Sequence, residues 1–227
     1  MQITDPEDLL QLCNRNGIIE HSGSLSIHCE IDKTMAQSFK GIEIRGSLSV
    51  FHDFVITGPV AVSGEVFNNA NFFAANSISV GGPIIGYGSL YTLSNLKVGG
   101  RLSLEGSLFV GNDLLLDSRL TVKKDLVTLG NTFWDFPFLP TIGNRWFHQR
   151  VLPNSHALKF YENRLGIKIL DENEEVSVNM ARINQLPSLR LLPSENLIFK
   201  SLKYSPSSLP AWVEDIREYV YSKFPTP

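Results

Sequence analysis

The chain has 227 residues, is 43% hydrophobic and 19% charged, and carries a formal net charge of −3. That is room for one large domain or two small ones. The slight acidic excess argues against a general nucleic-acid surface. Two cysteines are too few for a disulfide scaffold, and no apolar run reaches the length of a membrane span.

The opening stretch, MQITDPEDLLQLC, lacks the basic start and unbroken apolar core of a secretory signal. A soluble protein is expected, cytoplasmic or exported without a cleaved signal peptide. Asp5 has the chemistry of a helix N-cap, with Pro6 as the first helical residue and Glu7 and Asp8 at the positive end of the helix dipole. Leu9, Leu10 and Cys13 would form an apolar face, and Gly17 a C-terminal stop. Residues 1–17 therefore read as a capping helix that shields an open sheet edge. Cys13 and Cys29 are expected as buried free thiols. Ile19, Leu25 and Ile31 recur with a period of six, one position out of register with the later frame. The insertion at 32–41 absorbs the shift and is expected to protrude as a loop.

From Ile44 the chain keeps a six-residue frame through fourteen repeats. The fifth position is Leu48, Phe54, Val60, Val66, Phe72, Ile78, Ile84, Leu90, Leu96, Leu102, Leu108, Leu114, Leu120 and Leu126, all large and apolar. The first position is mostly Ile, Val or Leu, with Asn68, Ala74, Gly86 and Thr92 as exceptions. The third is mostly Gly, Asn, Ala or Ser, with His52 and Lys124 as misfits. A fixed short period takes precedence over other signals. Alternate strand residues face opposite sides, so positions five and one point inward together. Glycine at position three would turn a corner, with φ > 0 often needed. Three hexads make one coil, and the fold class is mainly β: a parallel β-helix of about five to six coils over 18–131. An open sheet of hairpins would not keep so exact a period.

The same register sorts the outer faces. One is polar, with Ser63, Ser79, Lys97 and Asp117. A second is mixed, with Phe51, Phe67, Tyr87, Glu105 and Lys123. The third carries Val55, Phe73, Tyr91, Phe109 and Val127, flanked by Thr57, Ala75, Leu93, Gly111 and Leu129. An apolar stripe five coils long requires a cover. The cover is either the chain's own C-terminal part or a partner or second copy, so Val55, Phe73, Tyr91, Leu93, Phe109 and Val127 are the candidate protein-binding residues.

After Asn131 the frame is lost, and 132–227 reads as an extension packed on the β-helix. Its first part, rich in Pro and aromatics, suits a segment laid across a surface. Residues 157–170 have a hairpin pattern, DENEE a solvated loop, and 179–192 a helix-like stretch that ends near Leu186, before Pro187. The clearest element is last: Ser208, Leu209 and Pro210 precede Trp212, Val213, Ile216, Val220 and Phe224 at helical spacing, with Glu214, Asp215, Arg217 and Glu218 opposite. The stripe or the open end of the last coil is its expected dock.

The run VGGRLSLEGSLFVGNDLLL, with Gly, a polar residue, an aliphatic, any residue and an aliphatic, resembles the bactofilins over about 90 residues. That resemblance implies a polymer-forming scaffold built on a parallel β-helix. The hexapeptide acyltransferases fit less well: with Val98 as their aliphatic position, Leu102 falls where a small residue belongs.

Catalytic signals are weak. The outward acids Asp53, Glu65, Glu105, Asp113, Asp117 and Asp125 do not stack on one another at the coil spacing, so the paired carboxylates of glycoside cleavage are not expected. His148 and His156 lack zinc-site spacing. Neither catalytic residue, metal nor cofactor is expected. The leading expectation is a non-enzymatic scaffold or protein-binding module. The alternatives are an acyltransferase-like enzyme with His52 as base, and a secreted bacterial or phage protein that binds a host target.

Overall fold

A computed structural model describes residues 1–130, 132–134, 141–147, 151–153 and 211–224. The hexads form a parallel β-solenoid. From Leu48 to Leu116 each strand is three residues long, built from positions five, six and one of the frame, and the next three residues turn a corner. Three ladders result. The first has eight strands: Ile18–Ser22, Gly41–Arg45, Val60–Val62, Ile78–Val80, Leu96–Val98, Leu114–Leu116, Thr132–Trp134 and Val151–Pro153. The second runs Gln2–Ile3, Leu25–Ile27, Leu48–Val50, Val66–Asn68, Ile84–Gly86 and Leu102–Leu104 into the first half of Leu120–Thr128. The third runs Phe54–Ile56, Phe72–Ala74, Leu90–Thr92 and Leu108–Val110 into the second half of that same strand.

The period is kept without a slip. Ile42 pairs with Val60, Val60 with Ile78, Ile78 with Leu96, Leu96 with Leu114 and Leu114 with Thr132, each exactly one three-hexad coil further on. Position-five and position-one side chains fill one continuous core from Ile3 to Leu126. Within it Phe54 meets Phe72 edge-on, with centroids 5.2 Å apart.

The first coil is longer. Ile19 stacks on Ile42, Leu25 on Leu48 and Ile31 on Phe54, all three sharing one offset that exceeds the later coil spacing. The extra residues lie after Ile31. They do not protrude as the sequence implies. Met35–Ser38 forms a 3₁₀ turn, Phe39 is fully buried in the core, and Ala36 is fully buried under the third outer face. The Thr57 hydroxyl is placed to donate to the carbonyls of Ala36 (3.2 Å) or Phe39 (3.1 Å), tying the insertion to the next coil.

At the N-terminus the helix is Pro6–Gln11, shorter than the sequence implies. Asp5 caps it, its Oδ1 accepting from the Glu7 N–H at 2.9 Å. Leu9 enters the core as its lid, whereas Leu10 is exposed. Gln2–Ile3 adds a strand beyond Leu25–Ile27, so the second ladder begins one strand early. Cys13 and Cys29 are free, and burial raises the pKa of both thiols.

The corner glycines have a different cause from the one expected. Among the described glycines only Gly17 and Gly23 have positive φ, and both lie before the regular coils. At the regular corners the constraint is the backbone of the preceding coil: a Cβ on Gly82 would stand 2.7 Å from the Gly64 carbonyl oxygen, and one on Gly64 2.7 Å from that of Gly46. Two exceptions in the frame explain each other. Asn68 is fully buried where an aliphatic residue belongs, its amide donating to the carbonyls of Ala70 (3.0 Å) and Ser89 (3.2 Å). Gly86 sits one coil above, and a Cβ there would collide with the Asn68 side chain.

Beyond Gly130 the parallel pairing continues, although the hexads do not. Thr132–Trp134 pairs with Leu114–Leu116, Thr141–Phe147 with Leu120–Thr128, and Val151–Pro153 with Thr132–Trp134. The stretch read as lying irregularly across a surface thus contains three further strands. Thr141–Phe147 pairs with a register shift between Val122 and Asp125, which is why a fixed frame could not follow it. The hairpin, acidic loop and helix-like stretch expected within 157–192 lie outside the described residues, as do His148 and His156.

A helix-covered outer face

The three faces differ in how their middle strand residues are covered. On the first ladder Ala61, Ser79, Lys97 and Leu115 are exposed. On the second, Ser49, Phe67, Ile85 and Ser103 are half-buried. On the third, Val55, Phe73, Tyr91, Phe109 and Val127 are buried, so those strands are covered on both sides.

The cover is the helix Ala211–Ser222. Its Val213 and Val220, with Phe224 just beyond, are buried in one cluster with the five stripe residues and Ala36. Trp212 and Ile216 from the helix, and Ala75, Leu93 and Leu129 from the rod, pack around that cluster partly exposed. All six residues expected to bind protein therefore meet in one place. Four aromatic and cationic groups define its centre. Phe73 and Tyr91 are stacked, 4.9 Å apart and 15° from parallel, because their strands are adjacent and in register. Tyr219 stands edge-on to both, at 6.0 and 5.9 Å. The Lys223 ammonium lies 4.8 Å from the Tyr219 ring centroid and 5.8 Å from that of Phe73. Such contacts add about 0.5–1 kcal/mol each at partly exposed sites. Burial pushes the Tyr91 phenol above its ordinary pKa.

The helix is held by apolar and ring contacts. Its polar bonds are its own: Arg217 pairs with Glu214 at 3.3 Å, and the Ser222 hydroxyl donates to the Tyr219 carbonyl at 2.7 Å. Among the described residues no hydrogen bond or ion pair joins it to the rod. A helix of 12 residues is about 18 Å long, and five strands spaced by about 4.8 Å cover about 19 Å. One helix therefore matches one stripe in length.

The second face carries an aromatic file. His28 stacks on Phe51 at 4.0 Å, Phe51 approaches Phe67 at 5.8 Å, and Phe67 meets Tyr87 edge-on at 6.0 Å. Tyr87 is 67% exposed. Above it Lys123 and Glu105 form a surface ion pair at 2.7 Å.

Two of the outward acids, Asp53 and Asp125, take part in a file of bonds that stacks the coils. Asp53 accepts from the Asn71 N–H at 2.9 Å and from its side-chain amide at 3.1 Å. Asn71 accepts from the Ser89 N–H at 3.4 Å, Ser89 from the Ser107 N–H at 2.9 Å, and Ser107 from the Asp125 N–H at 3.3 Å. Side chain by side chain, position four of one coil satisfies the N–H of the next. Asn95 does the same for Asp113 at 3.0 Å on another corner. His52 is exposed at the foot of the first of these columns, beside Asp53, whose carboxylate Asn71 engages. Among the described residues no group of three or more His, Cys, Asp or Glu is arranged to hold a metal ion. No described helix is long and apolar enough to cross a membrane. No protein-family model matches the chain, and no curated protein or solved structure matches it either.

Proposed function

We propose that this protein is a non-enzymatic scaffold or protein-binding module in which a rigid β-solenoid presents a helix-receiving face. The observation that supports this is the stripe Val55–Phe73–Tyr91–Phe109–Val127, all five residues of which are buried in one cluster with Val213, Val220 and Phe224 of an amphipathic helix. Recognition of an apolar helix face by a groove of matching length is a recurrent binding mode, read as anchors at successive helical turns. Val213, Ile216, Val220 and Phe224 are spaced as such anchors. The likeness of the hexads to bactofilins adds support for a scaffold role. The engagement of Asp53 and Asp125 in coil stacking also favours binding over chemistry at that corner.

The test is competition for the face in the full chain. In a Val220→Glu, Phe224→Glu variant the helix is no longer able to seat. That variant is expected to bind a labelled peptide of residues 208–224, read by fluorescence anisotropy, and the unaltered protein to bind it at least tenfold more weakly. Adding Phe73→Glu and Phe109→Glu removes binding while the strand circular dichroism stays. Equal binding by all three proteins, or by none, rejects the helix-receiving face.

A further inference from the structure

Building on the stripe as a helix-receiving surface, we propose that its partner in trans is a second copy of this chain: the helix Ala211–Ser222 of one copy seats on the stripe of the other, giving a helix-swapped dimer in equilibrium with the closed monomer. The complementary surface exists in every copy, so the trans contact needs no new interface. Exchange of an identical element between protomers is a low-cost route to a dimer for that reason.

Four features permit exchange. First, the helix meets the rod through Val213, Val220, Phe224 and ring contacts, with no described hydrogen bond or ion pair between them. The same contacts form whether helix and stripe belong to one chain or two. Second, the match of one helix to one stripe in length means that each stripe takes a single helix. A swapped pair leaves neither stripe bare, and the two-fold arrangement closes on itself. Third, the sequence from 154 to 210 separates the last described strand from the helix. Those 57 residues would span about 190 Å if fully extended, so their number alone sets no bar to reaching a second rod. Fourth, the balance between the two forms follows concentration. The tether sets an effective concentration for the closed form, typically in the millimolar range for short flexible linkers and lower as the connection lengthens. The dimer therefore gains as protein concentration rises.

The experiment places one cysteine in each of two full-length chains. Both carry Cys13→Ala and Cys29→Ala. One also carries Tyr91→Cys and the other Tyr219→Cys, positions whose rings are 5.9 Å apart. The chains are mixed and treated with a short bis-maleimide. A third chain carries both new cysteines, and two unsubstituted chains with different tags are mixed in parallel for co-capture. The expected result is an internal cross-link in the doubly substituted chain, a cross-linked dimer from the mixed single-cysteine chains, and co-capture of the tagged pair. Dimer yield should rise at least fivefold over a hundredfold increase in concentration and vanish when Val220→Glu is added. An internal cross-link with neither trans cross-link nor co-capture overturns the exchange and leaves the helix-receiving face standing. Absence of both the internal and the trans cross-link, in chains with intact strand circular dichroism, overturns both.

Discussion

Two columns of side chains stand one residue apart in sequence and on opposite sides of the same strands. Phe54, Phe72, Leu90, Leu108 and Leu126 face inward, and Val55, Phe73, Tyr91, Phe109 and Val127 face outward. Both are apolar, both repeat once per coil, and both are buried. They differ in what buries them. The inner column is enclosed by the coils that carry it, so it is buried as each coil closes and stacks on its neighbours. The outer column depends on an element more than eighty residues further along the chain. The same pattern of residues thus makes an obligatory core on one side of a strand and a conditional contact on the other.

The comparison is most easily broken from the inside. Leu108→Ala should lower stability by about 2–5 kcal/mol, read as a fall in the urea midpoint with strand and aromatic signals lost together. Gly82→Ala should cost about 1–3 kcal/mol as an overpacked site, since its Cβ would press on the Gly64 carbonyl 2.7 Å away. Phe109→Glu, one residue from Leu108, should act differently. Hydrogen exchange is expected to show loss of protection across 211–222, while the strands of the rod keep theirs. A joint loss would mean that the two columns are one cooperative unit.

Tyr91 offers a gentler handle on the outer column. Burial raises its pKa in the folded state, so the docked helix favours the neutral phenol. The stability this contributes is complete below the unfolded value of about 10 and is lost as pH rises through the higher folded value. Helix release, followed by Trp212 fluorescence, is therefore expected in alkali, and Tyr91→Phe should remove that step. A release that is unchanged in Tyr91→Phe would remove the Tyr91 phenol as its cause. The smallest effect belongs to His52→Ala. At an exposed corner it should stay within about 0.5 kcal/mol in thermal melts, and a larger change would expose a structural role.

Period carried most of what the sequence revealed. Fourteen fifth positions set the coil, the ladders and the inward faces, because a two-residue alternation and a three-hexad turn leave little freedom. The stripe and the last helix were legible for the same reason: both are periodic. What stayed hidden was aperiodic. Nothing in DKTMAQSFKG marks Phe39 as a core residue and Ala36 as part of the helix dock, because the insertion packs through contacts set by neighbouring coils. Asn68 reads as an error in the frame until Gly86 is seen above it, a pairing between successive coils rather than along the strand. The glycines were legible as corners but not for their cause, since close approach of two backbones and positive φ select the same residue. Past Gly130 the strands persist without the hexads, and a shifted register defeats any fixed count.

Leu120–Thr128 runs as one nine-residue strand through the place where earlier coils turn a corner. Lys124 stands there instead of the glycine found at 88 and 106. The second and third ladders, separate below, become continuous at this level, and the next strand to pair crosses both. A solenoid of identical coils has no internal means of ending, since each new coil presents the surface that received the last. Here the surface offered upward does change: one unbroken strand replaces two strands and a corner, and Thr141–Phe147 pairs along it with a shifted register. Regular hexads therefore stop at this level while parallel pairing carries on above it.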